Sequence, residues 1–488
     1  MTAIKWQAFP RARKCSTARA MLTSAPPAAR APAMPRPAGM RGELAATLRL
    51  AGPLVLSNLL QMAVYATDVI FLARLGQRDL AASSLGVAVV MLLMMAIIGV
   101  TGAVAPLIAA ELGRRLHSVR EVRRSARMGL WLAGAMGLIA IALCQGGETL
   151  LRATGQPADL ADRAGGFVAL LSLSLPMMGA AQVLRTVVSA LGRPHYAMLI
   201  TAFAILVNAA GNYTFIFGHF GFPALGLPGS ALASILTSVV MAGAYVVAIR
   251  SDRVLRRYHL FGRFWRAEPE RLRQMLVLGV PIALTLVAEG GLFSGAAFLM
   301  GRIGEVSLAA HAIALQIASI AFQVPYGVGQ AATIRVGYHF GAADRAAIGR
   351  AGAAAFLVSL CFSVLATAAM FAAPHAFLSA YIDVADPANA RLVALATGFL
   401  FMAAVFQFSD GLQAVAAGAL RGLQDTRVPM AIALAGYWLG GFATAYVLGF
   451  HTRLAGLGVW IGLAVGLTIA AVLLLARWIG RGRFNLLP

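Results

Sequence analysis

"LRLAGPLVL" at 48–56 is answered by "LVLGVPIAL" at 276–284, an offset of 228 residues. Leu50, Pro53 and Leu56 fall on Leu278, Pro281 and Leu284. At the same offset Arg74, Gly76, "LAA" at 80–82 and Gly113 fall on Arg302, Gly304, "LAA" at 308–310 and Gly341, with no gap. Internal repetition on this scale decides a fold before any single residue does. The chain is two copies of one design.

Each copy opens in an apolar run long enough to cross a bilayer, which takes about 20 helical residues. Such runs recur twelve times, at about 49–74, 81–111, 128–147, 165–190, 196–219, 230–249, 275–300, 308–336, 351–373, 391–419, 429–450 and 457–477. The composition agrees: 60% of residues are hydrophobic and 12% charged, against about 25% charged in soluble domains. The sequence therefore predicts an all-α polytopic membrane protein, with twelve transmembrane helices in two six-helix bundles around a central cavity. Six being even, both bundles insert the same way, as parallel repeats about an axis along the membrane normal. The expected bounds are a disordered Ala/Pro/Arg-rich tail at 1–44, bundles at 45–250 and 274–478, a basic cytoplasmic linker at 251–273 and a short cytoplasmic tail at 479–488. Met40 is a plausible true start, with Met1, Met21 and Met34 as alternatives. Such duplicated bundles suit a transporter, since a scaffold has no need of the symmetry. Gly436, Gly440, Gly458, Gly462 and Gly466, spaced by four within two spans, predict close helix packing.

The net charge of +22 raises nucleic acid as a partner. Its distribution points elsewhere. With the N-terminus placed in the cytoplasm, only Arg74, Arg78, Arg152, Arg163, Arg302, Arg391 and Arg453 fall outside. The rest lie in the tail, "RRLHSVREVRR" (114–124), "RSDRVLRRYHLFGRFWRAEPERLR" (250–273) and the shorter cytoplasmic loops. That is the positive-inside rule, and it predicts both termini cytoplasmic and no nucleic-acid partner. The first 40 residues carry no apolar core of signal-peptide type. Cys15, Cys144 and Cys361 are too few and too scattered for a disulfide framework or a metal cluster. Lys5 and Lys14 are the only lysines, so no phosphate-binding loop is available, and HExxH and GxSxG are absent. The chain is expected to be neither an ATP-driven pump nor an enzyme, to need no cofactor, and to draw on an ion gradient.

Ionisable residues inside hydrocarbon cost about 2.5–3.5 kcal/mol on insertion scales and suggest function by default. Asp68, Glu289 and Asp410 are the acids deep within spans one, seven and ten. Asn58, Gln61, Tyr65 and Asp68 form one helical stripe, and Asn208 and Asn212 share a face of span five. In the second bundle Thr285 lies one turn before Glu289 and Gln407 one turn before Asp410, while Gln316, Ser319, Gln323, Tyr326 and Gln330 run down one side of span eight. Both stripes predict helices lining a wet cavity. Two carboxylates in one low-dielectric pocket resist joint ionisation, so they take up a proton or share Na⁺. Oxygen ligands of this kind suit H⁺ or Na⁺ and not a soft metal. Arg185 is the one deep partner in reach, too few for three acids in two bundles. "MLLMM" at 91–95 offers an adaptable apolar surface or ordinary packing.

The chain resembles the multidrug and toxic compound extrusion (MATE) transporters, and among them the NorM-like bacterial branch. "ATDVIFLARLG" (66–76), "QVLRTVVSALGRP" (182–194), "NAAGNYTFIFG" (208–218), "GVPIALTLVAEGGLF" (279–293), "QAATIRVGYHFG" (330–341) and "FQFSDGLQAVAAGALRGLQDTRVP" (406–429) carry the resemblance. It implies a C-lobe cation site at Glu289 and Asp410, a Na⁺ site in some relatives, and an N-lobe cation or substrate site at Asp68, Asn208 and Asn212. Three positions depart from the family's pattern: Phe406 stands where some relatives have a Tyr, Ala312 where many have a Gln and Ala73 where a Gly is usual, and the first two lack ligand atoms for Na⁺.

The expected function is secondary active efflux of amphipathic, cationic organic compounds or drugs in exchange for H⁺ or Na⁺, by a monomer in contact with membrane lipids. The alternatives are a lipid-linked precursor flippase of the same superfamily, which an arginine-lined cavity would favour, and a passive channel or intramembrane enzyme.

Overall fold

The computed structural model describes residues 39–114, 118–153 and 158–488. Twelve spans follow in chain order: α1 Met40–Ala73, α2 Gln77–Arg114, α3 Ser118–Cys144, α4 the bent pair Ala158–Ser172 and Leu175–Ala190, α5 His195–Phe217, α6 Leu227–Ser251, α7 Pro269–Ile303, α8 Glu305–Gly341, α9 Arg345–Ala372, α10 Pro387–Gly422, α11 Arg427–Phe450 and α12 Gly456–Gly482. The two segments of α4 meet at 45°. Among the described residues there is no strand. Side chains such as Leu138, Leu206, Leu365 and Leu439 stay exposed on the outer faces, as lipid contact requires. Residues 1–38, most of the expected tail together with Met1, Met21, Met34 and Cys15, lie outside the described residues. The remainder of that stretch differs from expectation, because α1 already begins at Met40.

The bundles meet backbone to backbone at one end. A Cβ added to Gly99 would lie 2.2 Å from the Ala283 Cα, and one on Gly327 would lie 2.5 Å from Val55. Shifted by the repeat offset, Gly99 becomes Gly327 and Val55 becomes Ala283, so these are one contact made twice. The same holds one layer further on, where a Cβ on Gly113 would meet the Tyr338 carbonyl at 2.0 Å and one on Gly341 the Ala110 carbonyl at 1.8 Å. Only glycine allows such an approach. Farther from the seam, Gly462 lets α12 reach the Ala445 backbone of α11, where a Cβ would lie 2.3 Å from its nitrogen. The glycine spacing had announced that contact. Within α11 the segment Ala435–Phe442 widens into a π-helix.

A buried ion pair joins the bundles at the same end. Arg335 of α8 donates to both carboxylate oxygens of Glu43 in α1, at 2.8 and 2.7 Å, and His339 lies 3.4 Å from the second. Arg335 and Glu43 are each 1% exposed. Removing one member of such a pair strands the other in a low dielectric, at a cost of about 3–5 kcal/mol. Glu43→Ala should therefore lower the Tm of the purified protein by several degrees; an unchanged Tm would show that the pair does not hold the bundles.

The linker is docked. Residues 252–268 join α6 to α7, so α7 begins inside the stretch expected to be linker. Glu268 accepts from Arg124 and Arg127 of α3, Arg127 Nη1 donates to the Arg263 carbonyl at 2.8 Å, and Trp131 Nε1 to the Phe264 carbonyl at 3.2 Å. Arg271, in the first turn of α7, reaches Ser125 Oγ at 3.0 Å. Burial alone would raise the Glu268 carboxyl, but hydrogen bonds and charge from Arg124 and Arg127 hold it below the ordinary glutamate value. A lowered native pKa adds stability that is present above the unfolded value, about 4.3, and lost as pH falls through the native one. Proteolytic cleavage of the linker should accelerate in that acidic window relative to an unfolded control peptide. In Glu268→Gln, cleavage should be fast already at neutral pH and lose this pH dependence.

Candidate functional site

Above the glycine seam the bundles part around a cavity of about 630 Å³. All three membrane-embedded acids line it: Asp68 from the first bundle, Glu289 and Asp410 from the second. Gln61, Tyr65, Ser319, Gln323 and Tyr326 line it as their stripes predict, and Asn208 joins them.

The two sides differ in how their acids are satisfied. In the first bundle Asn208 Nδ2 donates to Asp68 Oδ1 at 2.9 Å and Asn212 Nδ2 to the same oxygen at 2.7 Å. Asn212 also donates to Asn208 Oδ1 at 3.1 Å, and the Ser234 hydroxyl faces Asp68 Oδ2 at 3.5 Å. Asn208 and Asn212 are fully buried, one turn apart on α5, so the helix itself fixes both donors. Arg185 is not a partner of any of these acids; it donates to Asn58 Oδ1.

In the second bundle Asp410 is 4% exposed, and its Oδ1 has no hydrogen-bond partner among the described residues. Glu289 and Arg421 line the same cavity as Asp410. Gln413, one turn beyond Asp410, donates to the Tyr437 hydroxyl at 2.5 Å and leaves its Oε1 buried without a donor. A buried polar atom left unmatched costs about 1–3 kcal/mol. Asp410 thus has a buried oxygen without a donor among the described residues and Asp68 does not; on the first side the unmatched buried atoms are Asn212 Oδ1, Asn58 Nδ2 and Arg185 Nε.

Three residues expected in the wall are elsewhere. The Thr285 hydroxyl bonds back to the Pro281 carbonyl of its own helix at 2.9 Å and is buried in the bundle. Gln316 is exposed and outside the cavity lining, because the wall of α8 is centred on Leu315, Ser319, Phe322 and Tyr326 and Gln316 lies farther round the helix. Gln407 is fully buried inside the second bundle, with neither amide atom partnered among the described residues.

Other residues enter that the stripes did not name. Arg421 lines the floor beside Arg185, and both also face a smaller cavity of about 90 Å³ that continues toward the seam. Asp410, Gln413, Ala417 and Arg421 are spaced three, four and four, so following the stripe past Asp410 finds Arg421. Ser234 lies at spacing four between Ser230 and Ser238 on α6, and Thr237 and Ser238 join it on the lining, so the same helical periodicity finds it. Met62, Met91, Met94, Met95, Met178 and Met241 form much of the apolar wall, so the methionines of "MLLMM" face the cavity. Phe406 faces the cavity and stacks on Trp460 with centroids 5.6 Å apart. In a background lacking Cys15, Cys144 and Cys361, Met91→Cys in membranes should react with a water-soluble maleimide and Leu92→Cys, on the outer face, should not. Equal labelling of the two would contradict the placement of this wall.

A family model for MatE matches residues 53–214 and 281–447. Its two matches begin at Pro53 and Pro281, the prolines that the internal repeat superposes. The chain is 47% identical over 444 residues to the "Probable multidrug resistance protein NorM" of Mesorhizobium japonicum, covering 91% of this chain and 95% of that one. It is 43% identical over 437 residues to the protein of the same name from Brucella suis, covering 89% and 93%. Among solved structures, a eukaryotic MATE transporter superposes with TM-score 0.81 at 20% identity over 90% of this chain and 96% of that chain. A multidrug resistance MATE transporter in an outward-facing conformation gives 0.80 at 20% identity over 92% and 97%. The repeat, the twelve spans and these likenesses agree: the chain belongs to the MATE transporter family, on its NorM-like bacterial branch.

Proposed function

We propose that this protein is a multidrug efflux antiporter that exports amphipathic organic cations from the cytoplasm across the bacterial inner membrane, in exchange for H⁺ or Na⁺. The observation that carries this reading is the unequal satisfaction of the acids around one cavity. Asp68 is held by two amides and a hydroxyl, whereas Asp410 keeps a buried oxygen without a donor beside Glu289. Of the three acids on the lining, Asp410 is the one with a buried oxygen lacking a donor among the described residues, which favours it as the seat of a coupling ion. The names of the relatives in Mesorhizobium japonicum and Brucella suis support multidrug export. The methionine and phenylalanine wall suits it too, since thioether side chains adapt to many apolar shapes. Three acids against two arginines on the lining, with Arg185 engaged by Asn58, favour a cationic substrate over an anionic lipid-linked precursor.

The cycle follows from charge. Open to the cytoplasm, the ionised acids attract an organic cation into the cavity. Open to the outside, H⁺ or Na⁺ neutralises Glu289 and Asp410 and weakens that attraction, so the substrate leaves and the ion-loaded form returns. The seam closes the end that bears the N-terminus and the basic linker, so with those on the cytoplasmic side the cavity here faces outward.

Glu289→Gln and Asp410→Asn should each reduce ion-driven efflux of a cationic dye by about 5- to 150-fold, the range of ordinary coupling free energies. Both should leave the amount of folded protein in the membrane unchanged. Wild-type efflux in either variant would refute the coupling site. In proteoliposomes, an imposed pH gradient without Na⁺, and then a Na⁺ gradient at constant pH, identifies the ion.

A further inference from the structure

A second cavity, of about 380 Å³, lies between the start of α3 and the linker. Its walls are Arg120, Arg123, Arg124, Arg127, Arg263, Arg266 and Glu268, with no aromatic or apolar side chain among them. The first four stand at positions i, i+3, i+4 and i+7 and so share one face of α3. Glu268 answers Arg124 and Arg127. Arg120, Arg123, Arg263 and Arg266 form no ion pair among the described residues, and Arg127, 2% exposed, keeps a buried Nε without a partner.

Gathering guanidinium groups around one space is unfavourable unless an anion sits among them. The backbone is also held in an uncommon shape here, with Arg263 at φ 53 and its carbonyl fixed by Arg127. Left-handed non-glycine residues of this kind concentrate at ligand clamps. Six guanidinium groups against one carboxylate fit a group with several anionic oxygens, which Arg binds through paired N–H donors. The setting selects the source of that group. Beside the pocket Trp265 is 85% exposed, its ring 5.5 Å from Phe264, which in turn lies 6.5 Å from Trp131. An exposed tryptophan at the mouth of an apolar helix is an interfacial anchor.

We propose that this arginine-walled pocket between α3 and the linker binds the phosphate headgroup of an anionic phospholipid of the cytoplasmic leaflet. The lipid phosphate then supplies the counter-charge that Glu268 alone does not, and bridges the linker to the first bundle.

The test is native mass spectrometry of the full chain in detergent, titrated with phosphatidylglycerol and, separately, phosphatidylcholine. Wild type should retain phosphatidylglycerol about tenfold better. The preference should vanish in Arg120→Gln/Arg123→Gln/Arg266→Gln and persist in Arg253→Gln/Arg256→Gln/Arg257→Gln, which removes equal charge from the same side outside the pocket. No preference in wild type, or equal loss in both variants, would overturn the site. Should the pocket variant fail to fold, thermal unfolding of wild type decides alone: phosphatidylglycerol should raise Tm, while phosphatidylcholine and inorganic phosphate at the same concentration should not. An equal rise with inorganic phosphate would overturn the lipid assignment in favour of a soluble phosphate.

Discussion

Two glycine contacts, each made twice, set the geometry on which the rest of the molecule depends. Gly99 on Ala283 and Gly327 on Val55, then Gly113 on Tyr338 and Gly341 on Ala110, bring the bundles together where no side chain intervenes. Helices forced into backbone contact at one end diverge toward the other, and the divergence is the cavity. Because the contacts obey the repeat, both bundles tilt by the same construction, and the three acids come to face one space from two sides.

Within that space, symmetry of fold coexists with asymmetry of chemistry. Asp68 accepts from Asn208, Asn212 and Ser234, while Asp410 has a buried oxygen without a donor among the described residues. The two bundles carry polar pockets in which the acid itself is treated differently: Asp68 is bonded on both oxygens, Asp410 is not. Buried polar networks rigidify when complete and respond to protons or ions when incomplete.

The fold was legible because its signals are long: twelve apolar runs, a 228-residue offset and a charge asymmetry each integrate over many residues. In the site, Asp68 with Asn208 and Asn212 was legible because charge in an apolar helix is rare and one turn of spacing fixes a common face. Glu289 and Asp410 stood out for the same reason. Thr285 and Gln407 misled because a polar side chain can also satisfy its own helix or be buried in the bundle, which helical phase does not reveal. Gln316 shows that a stripe gives direction only to within a side chain's width. Glu43 was hidden by position: it sits in the first turn of α1, next to a stretch whose composition reads as tail, and its partner Arg335 is 292 residues away.

The docking of the linker changes what the chain between the bundles is. Clamped to α3 through Glu268, Phe264 and Arg263, it is not a slack tether but an outgrowth of the first bundle, and Arg271 carries that attachment into the first turn of α7. Any relative movement of the bundles must therefore be absorbed beyond Arg271, in a helix that runs unbroken to Ile303 but carries Pro281, where one backbone hydrogen bond is missing. A reporter group placed in the linker would follow the first bundle alone and leave the motion of the second unseen.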